Sequence, residues 1–367
     1  MQANAPDPAS FRAQFPVFER TSYLNAGTEG PVPRRAADAV HRQIDLEVAQ
    51  GRCGRGYSER VMELAGRLRT GYAGLLGCEP AEVALTGSTT DGVNTVIAGL
   101  ELHPGDEILT TDEEHPGLLA PLAHARRRHG INVRIVPFAE IAESVSSVTR
   151  LIACSHVSWV SGRVIDAGAL AGCGAPVLLD AAQALGAIAV DVRALGCDFY
   201  AASGQKWLCG PEGSGCLYVR QDRLDELLVP WPGYGSLADP SQPLEMEPAA
   251  GAARFDHGFP AGLRSSSALA SLEVLGEPGW DWVHERASSL AASLADGLSE
   301  RGLEVGPRGR STLVSWKASE PQIEVQRLAE AGFVVRSIPA FGFVRASVGA
   351  WSAEAELQAL VAAAGPG

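Results

Sequence analysis

Short apolar runs and helix-length segments alternate between about residue 80 and residue 220. The runs are bounded by glycine and polar turns, which is typical of strands buried on both faces. The strand segments are EVALT, DEILTT, NVRIVPF, RLIACSHV, PVLLDAAQ, DFYAAS and GCLYVR. Helical patterns such as TDGVNTVIAGL and PGLLAPLAHARRRHG separate several of them. This alternation predicts an α/β unit with a mostly parallel, seven-stranded sheet covered by helices.

A change of composition follows this unit. Residues 231–262 are rich in glycine and proline and predict a long connection. Two helical patterns, the strands STLVSWK, FVVRSI and FGFVRASV, and a last helix that Ser352 could cap come next. Helices followed by short strands indicate a smaller α+β domain. We therefore predict an N-terminal segment packing on the small domain at 1–20, a large domain at 21–235, and a linker with the small domain at 236–367.

Charge and cysteine usage exclude several classes of function. The net charge of −13 repels phosphodiester backbones and argues against nucleic acid or an anionic membrane as a partner. No run approaches the ~18 apolar residues of a membrane span, and we find no leader pattern, so we expect a cytoplasmic protein. Seven cysteines without a C-x-x-C pair predict neither a disulfide framework nor a metal site. Cys53, in a polar glycine-rich stretch, is the cysteine we expect to be exposed.

Lysine is rare in this chain. Only Lys206 and Lys317 occur among 30 lysines and arginines. An arginine stays protonated in any protein environment, whereas a partly buried lysine can lose its proton and act as a nucleophile or a base. Lys206 lies between small residues and a glycine-rich loop in ASGQKWLCGPEGSG, which leaves its amine room to react with a carbonyl.

Other polar side chains follow the predicted strands. A Gly-Ser-Thr-Thr turn opens a helix, where backbone N–H groups with Ser88 and Thr89 could bind a phosphate or merely cap the helix. Asp180 ends a strand at the edge where open α/β sheets bind ligands, and it suits a cation or a helix cap. His115 could stack on a ring, act as a base or cap the next helix. Arg345 suits a carboxylate ligand or a surface salt bridge.

Together these sites meet the needs of pyridoxal 5′-phosphate, which requires a lysine, an acid beside its ring nitrogen and a phosphate cup. The segments LLDAAQALGAIAVDV and DFYAASGQKWLCGPEGSGCLYV resemble the lysine region of the class V aminotransferase family. These fold-type I enzymes include cysteine desulfurases, isopenicillin N epimerase and cysteine/cystine C–S lyases. The likeness runs from SYLNAGTEGPVP to VRASVGAWSAEAEL, and TDEEHPG, CSHVSWVSG and GQKWLCGPEGSG are most similar to the lyase and epimerase branch.

The resemblance implies a homodimer, a small amino acid as substrate, and a role for each matching residue. Lys206 would bind the cofactor covalently and move the Cα proton, Asp180 would pair with the ring nitrogen, and His115 would stack on the ring. Arg345 would take the substrate α-carboxylate. The other implied contacts are Gln183 at the ring hydroxyl, Ser88, Thr89 and Ser203 at the phosphate, Gln205 where many desulfurases have a histidine, and Asn25 and Trp159 at the substrate.

Some positions depart from the family pattern. Trp159 stands where desulfurases usually have an asparagine. Gly258-Phe259 replaces the Gly-Thr pair with which the partner subunit often contacts the phosphate. The nucleophilic cysteine that desulfurases carry near the carboxylate-binding arginine is missing, because no cysteine follows Cys216 and only Ser337 lies in that area. The resemblance therefore argues against a persulfide-forming desulfurase.

The sequence leaves more than one activity open. We favour β-elimination on cysteine, cystine or a related thioether, ahead of transamination and epimerisation. SGQK at 203–206 also matches the S-x-x-K signature of serine acyl-transferases, but the S-x-N and K-T-G motifs are missing. GPEGSG does not open a helix after a strand, which argues against a nicotinamide site. A module that binds the cofactor without turnover is disfavoured by the intact set of Lys206, Asp180, His115 and Arg345.

Overall fold

The computed structural model describes residues 6–256 and 258–365 of the chain. The strands within these residues are β1 (Ser22–Tyr23), β2 (Val83–Thr86), β3 (Glu107–Thr111), β4 (Asn132–Val136), β5 (Thr149–Ser155), β6 (Val177–Asp180), β7 (Phe199–Ser203), β8 (Gly215–Val219), β9 (Leu313–Lys317), β10 (Phe333–Val334), β11 (Arg336–Ile338) and β12 (Phe343–Ser347). The α-helices are α1 (Pro8–Arg12), α2 (Arg34–Gln50), α3 (Gly54–Leu76), α4 (Thr89–Gly99), α5 (Pro116–His129), α6 (Ala167–Ala171), α7 (Val192–Leu195), α8 (Gly262–Gly276), α9 (Trp280–Glu300), α10 (Pro321–Glu330) and α11 (Glu354–Ala363). None of these helices is long and apolar enough to cross a membrane.

The predicted α/β unit is confirmed. Its seven strands form one sheet in the order β2-β8-β7-β6-β5-β3-β4. β8 runs antiparallel to β2 and β7, and the other neighbours are parallel. Alternate residues of β5 enter two different hydrophobic clusters, Ile152 on one face and Leu151 on the other. Because both faces are buried, the strands are continuous apolar runs in the sequence.

A three-stranded antiparallel sheet, in the order β11-β12-β9, forms the C-terminal unit. Side chains from α9, α10 and α11 pack with this sheet in a separate cluster that contains Trp316 and Leu360. The predicted helices and strands are present, but the structure adds α10 between β9 and β10, and it divides the predicted strand FVVRSI into β10 and β11. The prediction that Ser352 caps the last helix is wrong, because the N-cap is Ala353 and makes no side-chain hydrogen bond. Ser352 lies one residue too early, and its hydroxyl is buried.

Contacts across the predicted domain boundaries join the units. Arg12 forms a 2.6 Å ion pair with Glu356 of α11, and Phe11 packs edge-to-face on Trp282 of α9. The first five residues of the predicted N-terminal segment lie outside the described residues. α8 packs against α2 and α3, although a boundary at residue 236 assigns α8 to the small domain. The boundaries themselves stay predictions.

The side chain of Asp256 holds the end of the long connection against the large sheet. Asp256 binds the guanidinium of Arg69 through both carboxylate oxygens, at 3.0 and 2.6 Å. It also accepts a 2.8 Å hydrogen bond from the backbone N–H of Leu85 in β2. The side chains of Arg69 and Asp256 are only 15% and 14% exposed. Losing either partner would therefore leave a charge in a poorly solvated position.

We expect Asp256→Ala to lower the free energy of unfolding by about 3 kcal/mol, because Arg69 loses its buried partner. Urea denaturation followed by circular dichroism measures this change. Asp225→Ala is the matched control, since Asp225 also pairs with an arginine but is 92% exposed, and it should cost at most about 1 kcal/mol. Equal costs for the two variants would contradict the role assigned to Asp256.

Candidate active site

The loop after β1, the start of α4, the carboxyl ends of β6 and β7, and the hairpin of β11 and β12 surround a cavity of about 260 Å³. Sixteen residues line it, and they include every predicted site residue except Asn25. The predicted residues at the cavity are Ser88, Thr89, His115, Trp159, Asp180, Gln183, Ser203, Gln205, Lys206 and Arg345. Asn25 is not among the residues that line the cavity, and its Oδ1 accepts a 2.8 Å hydrogen bond from Thr28 within its own loop. Its contact with the substrate stays a prediction.

The start of α4 has the form of an anion site. The hydroxyl of Ser88 caps the helix by accepting from the backbone N–H of Asp91 at 3.1 Å. The Thr89 N–H donates to the Ser203 hydroxyl at 3.0 Å, and the two hydroxyls lie 2.7 Å apart. N–H groups and hydroxyls at a helix N-terminus suit a phosphate. The cap at Ser88 and a phosphate site at Thr89 and Ser203 are therefore compatible.

Asp180 is a buried carboxylate at the carboxyl edge of the sheet. It is 5% exposed and accepts one hydrogen bond, from the N–H of Ala182 at 2.9 Å. Burial raises its pKa, while the Ala182 N–H and Lys206 oppose this change. No ion pair among the described residues includes Asp180. A charge with so little compensation favours a cationic group in the cavity.

Lys206 reaches the same cavity from the loop after β7. Burial lowers the pKa of its amine, and the nearby Arg345 and Arg336 lower it further, whereas Asp180 and Glu29 raise it. A lowered pKa increases the fraction of neutral amine, which is the nucleophilic and basic form. The N–H of Gly30 donates a 2.7 Å hydrogen bond to the carbonyl of Gln205, the residue before Lys206. The loop after β1 therefore fixes the position of the lysine.

His115 is both a helix cap and part of the cavity wall. Its Nδ1 accepts a 3.0 Å hydrogen bond from the Gly117 N–H at the start of α5. Its ring meets that of Trp159 edge-to-face, with centroids 5.0 Å apart. Burial, with smaller effects from Lys206 and the two cavity arginines, lowers its pKa to about 4. The imidazole is therefore neutral near pH 7 and suited to packing against a flat ring.

Two arginines lie at the other side of the cavity. Arg345 is 1% exposed, and its Nη1 donates to the carbonyl of Trp159 at 2.6 Å. Its Nε has no hydrogen-bond partner among the described residues. Burial, then the charge of Arg336, lowers the pKa of Arg345 to about 9. Arg336, which the sequence analysis missed, donates to the Thr28 hydroxyl at 3.0 Å.

The two glutamine side chains at the cavity differ in their hydrogen bonding. Gln183 donates to the Gly27 carbonyl at 2.7 Å and accepts from the Trp207 indole at 3.0 Å. In contrast, Oε1 of Gln205 and the indole nitrogen of Trp159 are buried and have no hydrogen-bond partner in the described residues. Buried polar atoms are nearly always paired, so these two indicate a ligand.

A second buried carboxyl group, Glu114, lies beneath the site. Its oxygens accept hydrogen bonds from the Thr111 hydroxyl at 2.5 Å, the Ser155 N–H at 3.0 Å, and the Ser155 hydroxyl. Burial nevertheless raises its pKa to about 7, and the charge of Asp180 contributes. Sequence analysis missed Glu114 because a lone glutamate after a strand carries no local signal for burial.

These residues fit pyridoxal 5′-phosphate. A helix N-terminus with two hydroxyls suits the phosphate, the buried Asp180 suits a protonated ring nitrogen, and Lys206 has the lowered pKa that covalent attachment requires. The hydroxyl of Ser203 is bonded to Thr89 rather than to Lys206. The S-x-x-K interpretation therefore lacks its pair of nucleophile and base.

Residues 23–360 match the model of the family described as aminotransferase class V, and the chain belongs to this family. It is 30% identical over 341 residues to a cysteine desulfurase of Enterobacter sp. (strain 638), covering 83% of this chain and 81% of the relative. It is also 30% identical to the isopenicillin N epimerase of Amycolatopsis lactamdurans, with 85% and 80% covered. A match at 32% identity to a probable cysteine desulfurase of Methanothermobacter thermautotrophicus spans 63% of this chain and 61% of that protein.

Known structures agree with this membership. A mutant of C-DES with glycine covalently linked to its pyridoxal-phosphate cofactor superimposes with a TM-score of 0.90 at 28% identity, covering 97% of this chain and 98% of that one. C-DES as a cystine C–S lyase in complex with its product cysteine persulfide gives a TM-score of 0.88 at 27% identity, covering 95% and 98%. The protein is thus a fold-type I, class V enzyme that uses pyridoxal 5′-phosphate.

A larger groove of about 560 Å³ lies between α9 and the segment around Ile188. It contains none of the predicted site residues. Its histidine, His284, has a pKa lowered by burial, and its ring packs on Trp280. The Ser288 hydroxyl and the Arg310 guanidinium at this groove are bonded to the Arg310 carbonyl and to Glu285. Within residues 6–256 and 258–365, no group of three or more histidine, cysteine or acidic side chains could hold a metal ion. The smaller cavity is therefore the candidate active site.

Gly30→Ala should disturb the attachment of the cofactor, because a Cβ at this position would lie 2.0 Å from the backbone carbonyl of Lys206. We expect a loss of about 1–3 kcal/mol in unfolding free energy and a lower fraction of covalently bound cofactor. Absorbance of the bound cofactor and urea denaturation measure the two effects. Gly74→Ala, where nothing lies within 4 Å, is the control. Full cofactor loading of the Gly30 variant would refute this contact.

Glu114→Gln should change the pH dependence of stability. The pKa of Glu114 rises from 4.5 to about 7 on folding, so between these values the folded state binds more protons than the unfolded state, and stability falls as pH rises. The glutamine variant should lack this fall, because its amide can keep the hydrogen bonds without ionising. Unfolding midpoints from pH 4.5 to 8 measure it, with the exposed Glu143→Gln as control. Parallel curves for wild type and Glu114→Gln would contradict the assignment.

Proposed function

We propose that this protein is a lyase that expels a sulfur group from the β-carbon of cysteine, cystine or a related thioether. The observation that carries the proposal is the lack of a thiol at the cavity. None of its described lining residues is a cysteine, and no cysteine follows Cys216 in the chain. Sulfur that leaves the substrate would therefore depart as a free product. The relatives named as desulfurases and C–S lyases support a sulfur-containing amino acid as the substrate.

Each side chain would have a definite task in this reaction. Bound pyridoxal phosphate supplies an electron sink for the charge that develops at the substrate Cα. Arg345 would bind the α-carboxylate with its unsatisfied guanidinium edge. Nζ of Lys206 would remove the Cα proton, helped by its lowered pKa. Asp180 would keep a proton on the ring nitrogen by pairing with it, and the neutral ring of His115 would pack on the cofactor.

The state of His115 favours elimination over epimerisation. An epimerase needs a second group that returns a proton to Cα from the face opposite the first base. His115 is a basic side chain at the cavity, but its Nδ1 is held by Gly117 and its pKa is about 4. A neutral imidazole of this kind is a poor proton donor at neutral pH. Transamination is the remaining alternative, in which Lys206 would return the proton to the cofactor. The assay below distinguishes transamination from elimination.

We also propose a cytoplasmic homodimer. Large apolar side chains are exposed along the connection at 231–262, and they include Trp231, Tyr234, Leu244 and Phe259. Large exposed apolar surfaces commonly mark interfaces between proteins. A partner molecule over this segment would remove them from water.

The proposal predicts multiple turnovers on L-cysteine or L-cystine without an oxo-acid acceptor. Pyruvate and released sulfide or persulfide, measured per mole of cofactor-loaded protein, should exceed one. Lys206→Ala should abolish both turnover and the visible absorbance of covalently bound cofactor. Lys317→Ala is the matched control, because Lys317 is the other lysine, its amine donates to the carbonyl of Phe341 and packs on Phe343, and it does not line the cavity.

Other results of this assay would assign a different activity to the protein. One turnover that stops until an oxo acid is added, with no sulfur released, would make it an aminotransferase. Racemised substrate without pyruvate would make it an epimerase. Retention of the absorbance band by Lys206→Ala would refute the lysine assignment itself.

A further inference from the structure

The sulfur that departs from the substrate needs a proton donor. A strongly basic thiolate leaves slowly, and a side chain that protonates it as the Cβ–S bond breaks speeds this step. Lys206 would already take the Cα proton, and Asp180 would pair with the cofactor ring. The neutral imidazole of His115, which has a pKa of about 4, donates a proton poorly at neutral pH. None of these three groups is therefore suited to the sulfur.

The other residues that line the cavity leave one candidate. The two arginines keep their protons near pH 7, and the hydroxyl and amide side chains are much weaker acids than a carboxyl group. Glu29 is the remaining titratable side chain among the described lining residues. It lies in the loop after β1, which also contributes Gly27 and Thr28 to the cavity.

The backbone around Glu29 is held on both sides. Its carbonyl accepts a 2.9 Å hydrogen bond from the Tyr23 hydroxyl, and the N–H of the next residue, Gly30, donates to the carbonyl of Gln205 at 2.7 Å. The second of these bonds joins Glu29 to the segment that carries Lys206. The carboxyl group of Glu29 makes no hydrogen bond or ion pair within the described part of the chain. It is therefore held at the cavity without being engaged by neighbouring side chains.

The protonation of Glu29 depends on its burial and on nearby charges. Burial raises its pKa, the carboxylate of Glu212 raises it further, and Lys206 opposes both effects. The charge of Glu29 in turn raises the pKa of Lys206 and contributes to the raised pKa of Tyr23. Arg336 lines the same cavity, and its charge favours the carboxylate form. The net effect is a raised pKa, which increases the fraction of Glu29 that carries a proton.

We infer that Glu29 is a further catalytic residue, which protonates the sulfur leaving group. As the Cβ–S bond breaks, its electron pair passes to sulfur, and the carboxyl proton of Glu29 passes to the same sulfur. A neutral thiol departs, and a carboxylate remains. The Cα proton stays on Lys206, so the two proton transfers use separate groups. Glu29 is half-buried, so water can return its proton before the next turnover.

The first test varies the leaving group, and it rests on the proposed lyase function. S-methyl-L-cysteine expels a strongly basic thiolate, S-(4-nitrophenyl)-L-cysteine expels a weakly basic one, and β-chloro-L-alanine expels chloride, which needs no proton. We expect Glu29→Gln to lower kcat for S-methyl-L-cysteine by about 100- to 10,000-fold, as for loss of a general acid. The loss should be smaller for the aryl compound and smallest for β-chloro-L-alanine. Glu29→Asp should recover part of the lost rate.

Glu143→Gln is the matched control, because it removes an exposed glutamate that does not line the cavity. It should match the wild type on all three compounds. Equal losses for the three compounds in Glu29→Gln, or unchanged release of methanethiol, would overturn the inference and leave the lyase function intact. A wild type that releases no thiol from either thioether would instead refute the proposed function.

The second test detects the proton on Glu29 without turnover. Infrared difference spectra of the cofactor-loaded protein from pH 4.5 to 8 show the carbonyl bands of protonated carboxyl groups. We expect a band that titrates above 4.5, the ordinary pKa of glutamate, and that is absent in Glu29→Gln, whereas the band of Glu114 remains. Glu212→Gln should shift this titration to lower pH, because it removes a charge that raises the pKa of Glu29. Spectra that are unchanged by Glu29→Gln would overturn the inference.

Discussion

The active site of this protein depends on one constraint: charged side chains are buried at the carboxyl edge of the large sheet. Lys206, Asp180 and Arg345 are removed from water, yet none of them finds an ion pair within the described residues. Burial lowers the pKa of Lys206 and Arg345 and raises that of Asp180. A site of this kind is costly for the folded chain alone. It would become favourable if an anionic, ring-bearing cofactor and the proposed amino-acid substrate supplied the missing partners.

The site lies where the large α/β unit and the C-terminal unit meet. The large sheet contributes Asp180 and Ser203 at neighbouring strand ends, and α4 contributes its N-terminus. β12 of the small sheet carries Arg345 to the opposite wall, where Nη1 is fixed on the carbonyl of Trp159. The loop after β1 completes the cavity by contacting both sides, since Gly27 accepts from Gln183 and Thr28 accepts from Arg336. The cavity therefore depends on how the units pack.

Local patterns in the sequence are sufficient to predict the strands of the large sheet and to identify the unusual lysine. Strands buried on both faces are continuous apolar runs, so the seven strands of the large sheet were recognisable without any tertiary information. Lys206 was conspicuous because arginine replaces lysine almost everywhere else. The position of Arg336 at the cavity was missed because it depends on the strand register with Arg345, which a sequence does not display. The hydrogen bond between the Thr28 hydroxyl and Oδ1 of Asn25 was likewise not visible in the sequence, because it depends on the conformation of the turn.

The sequence alone determines the α/β class, the family and its cofactor, and it indicates the residues proposed to hold that cofactor, because strand burial and motif chemistry act over a few neighbouring positions. It does not determine the electrostatic state of those residues. The pKa of Glu114 near 7, that of His115 near 4, and the opposition of two unpaired arginines arise from burial and from contacts between distant segments. Desolvation depends on everything that surrounds a charge, and only the packed chain supplies those surroundings.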